Sequence, residues 1–197
     1  MAPIRILVVE DDRDFQYLIQ QTLAASPDFV LTSCCGNEES ACLAAARDDP
    51  DVVLMDLAFP SDPMGGVWAA RRIRLETRAK VILLTSYEDP ATVIRASVES
   101  FASAYVLKSQ FPLLVPTIRE TARGATPQSH LICSALLRSL TAAELAVFQH
   151  MLGVPVTLHS SEKTIANQKT SVLRKLGLQN KQQLCHVFAA YFPHQDL

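Results

Sequence analysis

Polar groups follow four short apolar runs, and together they could do phosphoryl chemistry. Ile4–Val9 ends in Glu10-Asp11-Asp12, Val52–Met55 in Asp56, Lys80–Leu84 in Thr85-Ser86 and Ala104–Leu107 in Lys108. Carboxylates gathered in one place repel each other and shift their pKa values unless a cation neutralises them. Mg²⁺ suits such a set, because it takes oxygen ligands and keeps several waters. A phosphoryl group could then lie against the Thr85 hydroxyl and the Lys108 ammonium, with a carboxylate attacking phosphorus. Asp56 is the nucleophile the pattern favours, since it stands alone at the end of an interior run. Taken singly, each of these residues is an ordinary cap or solvated strand end.

Something must bring them together. Apolar runs at 4–9, 29–34, 52–55, 80–84 and 104–107 alternate with helix-compatible stretches near 13–25, 38–48, 66–77, 90–101 and 112–123. Five such runs separated by helical lengths imply an α/β fold, a doubly wound five-stranded parallel sheet covered on both faces. The carboxyl ends of its strands share one edge, where ligands bind. Chain direction alone thus collects the carboxylates, hydroxyl and ammonium in one cleft.

After Gly124 the strand-like runs stop. The stretch 124–139 reads as a linker with a helix, and 140–197 as a small all-α domain with helices at 142–152, 161–176 and 181–191. The last carries Leu184, Val187, Phe188 and Tyr191 on one apolar face. Charge divides at the same place. Residues 1–123 hold 12 Lys/Arg against 17 Asp/Glu, and residues 124–197 hold 6 against 3. An acidic front and a basic back suggest cations as partners of one and a polyanion as partner of the other. The five cysteines contain no C-x-x-C pair, which argues against a disulfide framework or a zinc site. No signal peptide precedes Ile4, and no apolar run approaches the roughly 18 residues of a membrane span. A soluble, cytoplasmic protein is expected.

Residues 1–123 resemble a two-component response-regulator receiver domain, which is flavodoxin-like. The resemblance rests on ILVVEDD, VVLMDLAFP, VILLTS and AYVLK, with matching spacing throughout. It implies that Glu10, Asp11, Asp56 and the backbone carbonyl of Ala58 hold Mg²⁺, and that Asp56 accepts phosphate from a sensor histidine kinase. It further implies that Thr85 and Lys108 bind the phosphoryl oxygens and that Tyr105 swings inward on activation. Ala58 and Tyr87 flank the path of the hydrolytic water and offer it no carboxylate or amide, so slow self-dephosphorylation is expected. The sequence departs from the family at PSDPMGG, where Gly65 and Gly66 fall later than the usual glycine. Pro112 suits a first helical turn, whereas Pro116 should kink the last receiver helix or push its start later.

Residues 140–191 resemble the LuxR-type helix-turn-helix of NarL/FixJ-like regulators, through LTAAELAVFQHM, SSEKTIANQKTSVLRKLG and NKQQLCHVFAAYF. Ser161, or Ser160 in a second register, caps the recognition helix and Gly177 ends it. Ile165, Val172, Leu173 and Leu176 form its buried stripe, and Lys163, Lys169, Arg174 and Lys175 leave its surface cationic. The resemblance implies DNA contacts by Lys163, Thr164, Asn167, Gln168, Lys169, Ser171, Arg174 and Lys175, and a phosphorylation-dependent homodimer. Two features depart from the pattern. Ala166 stands where a basic residue is common, and Gly153–Ser161 is about five residues short of the helix that braces the recognition helix. The expected function is a phosphorylation-switched transcription regulator. The alternative is a phospho-receiver whose shortened tail contacts protein instead of DNA. Activity as an autonomous phosphatase or phosphotransferase is disfavoured, since nothing in the cleft recognises another substrate.

Overall fold

The computed structural model describes residues 2–60 and 62–192. Five parallel strands, β1 (Ile4–Val9), β2 (Phe29–Cys35), β3 (Val52–Asp56), β4 (Lys80–Thr85) and β5 (Ala104–Leu107), are ordered β2-β1-β3-β4-β5. Asp56 therefore ends the central strand. Alternate residues of each strand feed the two faces. Leu7, Val9, Val53, Met55, Val81 and Leu83 pack towards α2 (Glu38–Asp48) and α3 (Gly65–Glu76). Ile6, Val8, Leu54, Ile82 and Leu84 pack towards α1 (Arg13–Ala24) and α5 (Leu114–Arg123). This double cover is what the short, near-continuous apolar runs required.

Local chemistry sets the helix starts. Asp12, Asn37 and Asp89 cap α1, α2 and α4 (Pro90–Glu99) with their side chains. The α3 helix has no side-chain cap. Its first amides are satisfied by the preceding loop instead, Gly65 N–H donating to Asp62 O at 3.1 Å and Gly66 N–H to Leu57 O at 3.1 Å. Before α5 the chain makes a 3-10 turn over Lys108–Leu113 that contains Pro112. The late start at Leu114 leaves Pro116 in the first turn, where its missing N–H costs no intrahelical bond.

The remaining helices are α6 (Pro127–Leu137), α7 (Ala142–Met151), α8 (Glu162–Leu176) and α9 (Lys181–Phe188), with a 3-10 turn over Ala189–Tyr191. Thr126 and Thr141 form capping boxes with Ser129 and Glu144. Ser161 caps α8 by accepting from Thr164 N–H, so the Ser160 register is not the one used, and Gly177 ends the helix at φ 65°. Residues 154–159 contain no helical turn.

The C-terminal helices share a core with the α/β part of the chain. Cys133, Val147, Phe148, Val172, Leu176, Leu184, Val187 and Phe188 bury together with Phe101 from the α4–β5 turn. Around that core Arg74 of α3, 3% exposed, donates to the carbonyls of Phe101 (3.0 Å), Ala79 (2.9 Å) and Val187 (2.8 Å). Arg71 donates to Glu99 O and Gly177 O, both at 2.8 Å, and His186 Nδ1 lies 2.9 Å from Leu75 O. Buried guanidinium groups normally face carboxylates; here backbone carbonyls supply the partners.

Candidate functional site

The three acidic residues after β1 divide their work. Asp12 turns away to cap α1, its Oδ1 accepting from Asp14 N–H at 2.9 Å and Phe15 N–H at 3.1 Å. Glu10, 1% exposed, and Asp11 face Asp56, and ligand oxygens of Glu10, Asp11 and Asp56 lie within 4.8 Å of one another. Lys108 closes the group from the end of β5. Its Nζ is 2.7 Å from Glu10 Oε2 and 2.7 Å from Asp56 Oδ2, and it lies 4.6 Å from the centre of the Phe15 ring. The fold thus brings Glu10, Asp11, Asp56 and Lys108 together at the strand ends.

The electrostatics follow from this crowding. Burial pushes the Glu10 carboxyl up to about 7, with the Asp56 charge adding to that and the Lys108 ammonium opposing it. Burial tends to depress the Lys108 pKa, but its bonds to Asp56 and Glu10 outweigh this and raise it. The Glu10, Asp11 and Asp56 carboxylates, two of them bonded to the one ammonium, are a donor set that a hard divalent cation fits.

Thr85 is 1% exposed at the end of β4, and its Oγ1 accepts from Tyr87 N–H at 3.0 Å. Tyr105 is half-buried on β5, one strand beyond Thr85. Ala58 N–H donates to Asp56 Oδ1 at 3.3 Å, and the Tyr87 hydroxyl reaches Pro63 O at 3.4 Å. Tyr87 thereby leans on the long loop that the late glycines announced. Phe59 and Asp62 exchange backbone hydrogen bonds of 3.0 and 3.1 Å in the loop that follows Asp56.

Gly66 is a site residue whose reason the sequence did not disclose. A Cβ there would lie 1.8 Å from the Asp56 carbonyl oxygen and 2.8 Å from Leu57 Cα. Only glycine lets α3 begin directly under Asp56. Phe101 was missed altogether. Its φ of 56° is uncommon for an aromatic residue, and nothing in VESFASAYV signals it. Its ring lies 6.4 Å from that of Phe188 and 4.3 Å beneath Arg71, where the two halves of the molecule meet.

The second candidate surface is α8. Lys163, Thr164, Asn167, Lys169 and Arg174 are exposed and Gln168 is half-buried. Ser171 and Lys175, also expected to face DNA, both bond within the fold. The Ser171 hydroxyl donates to Glu144 Oε1 at 2.7 Å, and Lys175 Nζ lies 2.6 Å from Glu144 Oε2. Four residues apart, they share the side of α8 that leans on α7, and the buried carboxylate takes both. The Thr164 hydroxyl is 2.9 Å from that of Ser161 and belongs to the cap. Of the expected stripe, Val172 and Leu176 are buried, whereas Ile165 and Leu173 are half-buried. Beside Ile165 is an open cavity of about 430 Å³, lined by His150, Val156, Leu158, Glu162, Ile165, Ala166 and Lys169. It lies where the short Gly153–Ser161 segment supplies no bracing helix.

Comparison with known proteins agrees with this geometry. The chain is 24% identical to the transcriptional regulatory protein DegU of Brevibacillus brevis, over 91% of this chain and 90% of that protein. It is 24% identical to the nitrate/nitrite response regulator NarP of Escherichia coli, over 91% of this chain and 92% of the relative. The crystal structure of a LuxR-family two-component response regulator from Aurantimonas superposes with a TM-score of 0.59 at 28% identity, covering 68% of this chain and 94% of that one. Residues 6–118 match the response regulator receiver domain, and the chain belongs to that family.

Proposed function

We propose that this response regulator takes a phosphoryl group on Asp56 from a phosphohistidine of a sensor kinase and controls transcription through its C-terminal helices. The observation that carries the input is the Lys108 ammonium held 2.7 Å from both Glu10 and Asp56 at the edge where the central strand ends. An Asp56 carboxylate oxygen attacks phosphorus, the P–N bond of the donor breaks, and the departing imidazole keeps the electron pair and takes a proton. Lys108 and Thr85 hold the phosphoryl oxygens, and Tyr105 follows the Thr85 hydroxyl. Glu10, Asp11, Asp56 and the Ala58 carbonyl would hold Mg²⁺, which supplies positive charge against the phosphoryl oxygens. In this reading the chain is a switch that carries the phosphoryl group itself and turns over no other substrate. Ala58 and Tyr87 leave the hydrolytic water unoriented, and the phosphorylated state is long-lived.

For the output, the capped, cationic and exposed N-terminal half of α8 supports insertion into a DNA groove, as does the kinship with DegU and NarP. Lys163, Thr164, Asn167, Gln168, Lys169 and Arg174 are the proposed contacts, and a homodimer is the proposed binding form. Ser171 and Lys175 brace α8 on α7. A protein partner is the second reading, favoured by the cavity beside Ile165. Measuring DNA affinity of the phosphorylated chain against salt separates the two. Affinity should fall steeply, with a logarithmic slope of about 0.9 per phosphate contacted. Absence of DNA binding by the phosphorylated chain at low salt would leave the protein-contact reading.

A further inference from the structure

The sheet order makes β5 an edge strand, so its outward backbone groups need partners from outside the sheet. At Tyr105 both are taken by one side chain. Gln128 Oε1 accepts from Tyr105 N–H at 3.2 Å, and Gln128 Nε2 donates to Tyr105 O at 3.4 Å. A primary amide offers one acceptor and donors on adjacent atoms, so it can imitate the backbone of a neighbouring strand. Gln128 is in the first turn of α6, fixed there by the Thr126–Ser129 capping box and by Pro127. Both box residues are buried.

The same helix reaches the C-terminal core within two turns. The His130 ring stands edge-on to Tyr191 at 5.7 Å, and Cys133 is buried with Phe148 and Phe188. Thus α6 touches the strand that carries the switch aromatic at one turn and the C-terminal helices at the next. We propose that the Gln128 amide is the coupling between the two: paired with Tyr105, it holds α6 and the helices beyond it in place, and displacement of the Tyr105 segment frees them. The clamp rests on the reading of Tyr105 as a mobile switch residue. It makes the linker helix a sensor of the phosphorylation site instead of a passive tether.

Amide hydrogen exchange in the full chain tests this in two independent arms. Without any phosphodonor, Gln128→Leu should raise exchange of the Tyr105 amide about tenfold, the worth of roughly one hydrogen bond, with faster exchange along α6. Gln128→Glu, which keeps the acceptor and removes the donor, should give a smaller rise. Tyr105 and α6 exchanging as in wild type in both variants would overturn the clamp. In the second arm, wild type with Asp56 phosphorylated, as verified by mass, should show the same rise at Tyr105 and α6. Unchanged protection in that modified chain would overturn the coupling while leaving the proposed input standing. A chain that takes no phosphoryl group would refute the input, and the Gln128 variants would still decide the clamp.

Discussion

Gly66 and Asp56 form a pair that sequence reading could see only by half. Asp56, Glu10, Asp11 and Lys108 were legible because strand direction alone gathers strand-end residues at one edge, whatever the side chains do. Gly66 was visible as a late glycine, but its reason lies in the Asp56 carbonyl 1.8 Å from where a methyl would stand. Gly66→Ala should therefore destabilise the chain by about 3 kcal/mol, the upper range for overpacking, read as a lower denaturant midpoint. By displacing Asp56 it should also abolish the proposed phosphoryl uptake. At the neighbouring positions the expected sign is opposite in kind. Ala58→Asn or Tyr87→Glu should shorten the lifetime of the phosphorylated chain by supplying a group that orients water, about tenfold each on the scale of positional catalysis. An unchanged lifetime in both variants would contradict slow hydrolysis through a missing positioner.

Among elements, α8 shows why helix surfaces are harder to read than strand ends. Its limits were plain from Ser161 and Gly177, since caps are local. Which residues face outward depends on the packing partner. The buried Glu144 of α7 is committed twice, as the N3 member of a capping box and as partner of Lys175 and Ser171. Lys175 foremost, with the Thr141 amide and the Ser171 hydroxyl, holds the Glu144 carboxyl at about 2, below its ordinary 4.5. A depressed carboxyl stabilises the fold above its unfolded value and loses that contribution as pH falls. Stability should thus decline between about pH 4.5 and pH 2 through this residue. Glu144→Gln should flatten that acid limb relative to wild type in denaturant midpoints measured against pH. The Pro116 conflict was resolved as foreseen, by delaying α5 until proline fell in its first turn.

At the scale of the whole molecule, the sequence showed two parts but not that they share a core. Arg74 reads as one more charge on an amphipathic helix, and only the fold turns it onto Phe101, Ala79 and Val187. Long-range partners of this kind leave no periodic trace. Receiver and C-terminal helices should unfold together in wild type. Arg74→Leu, which strands three buried carbonyls at a cost of about 3 kcal/mol or more, should lower the melting temperature and split the transition in two. A single transition at the wild-type temperature would show that the shared core alone joins the parts. The proposed function depends on Asp56 as the point of entry. The most direct measurement is intact mass after incubation with a small phosphodonor and Mg²⁺, for wild type and Asp56→Asn. One phosphoryl group on wild type and none on Asp56→Asn is predicted; equal uptake by both, or none by wild type, would contradict it.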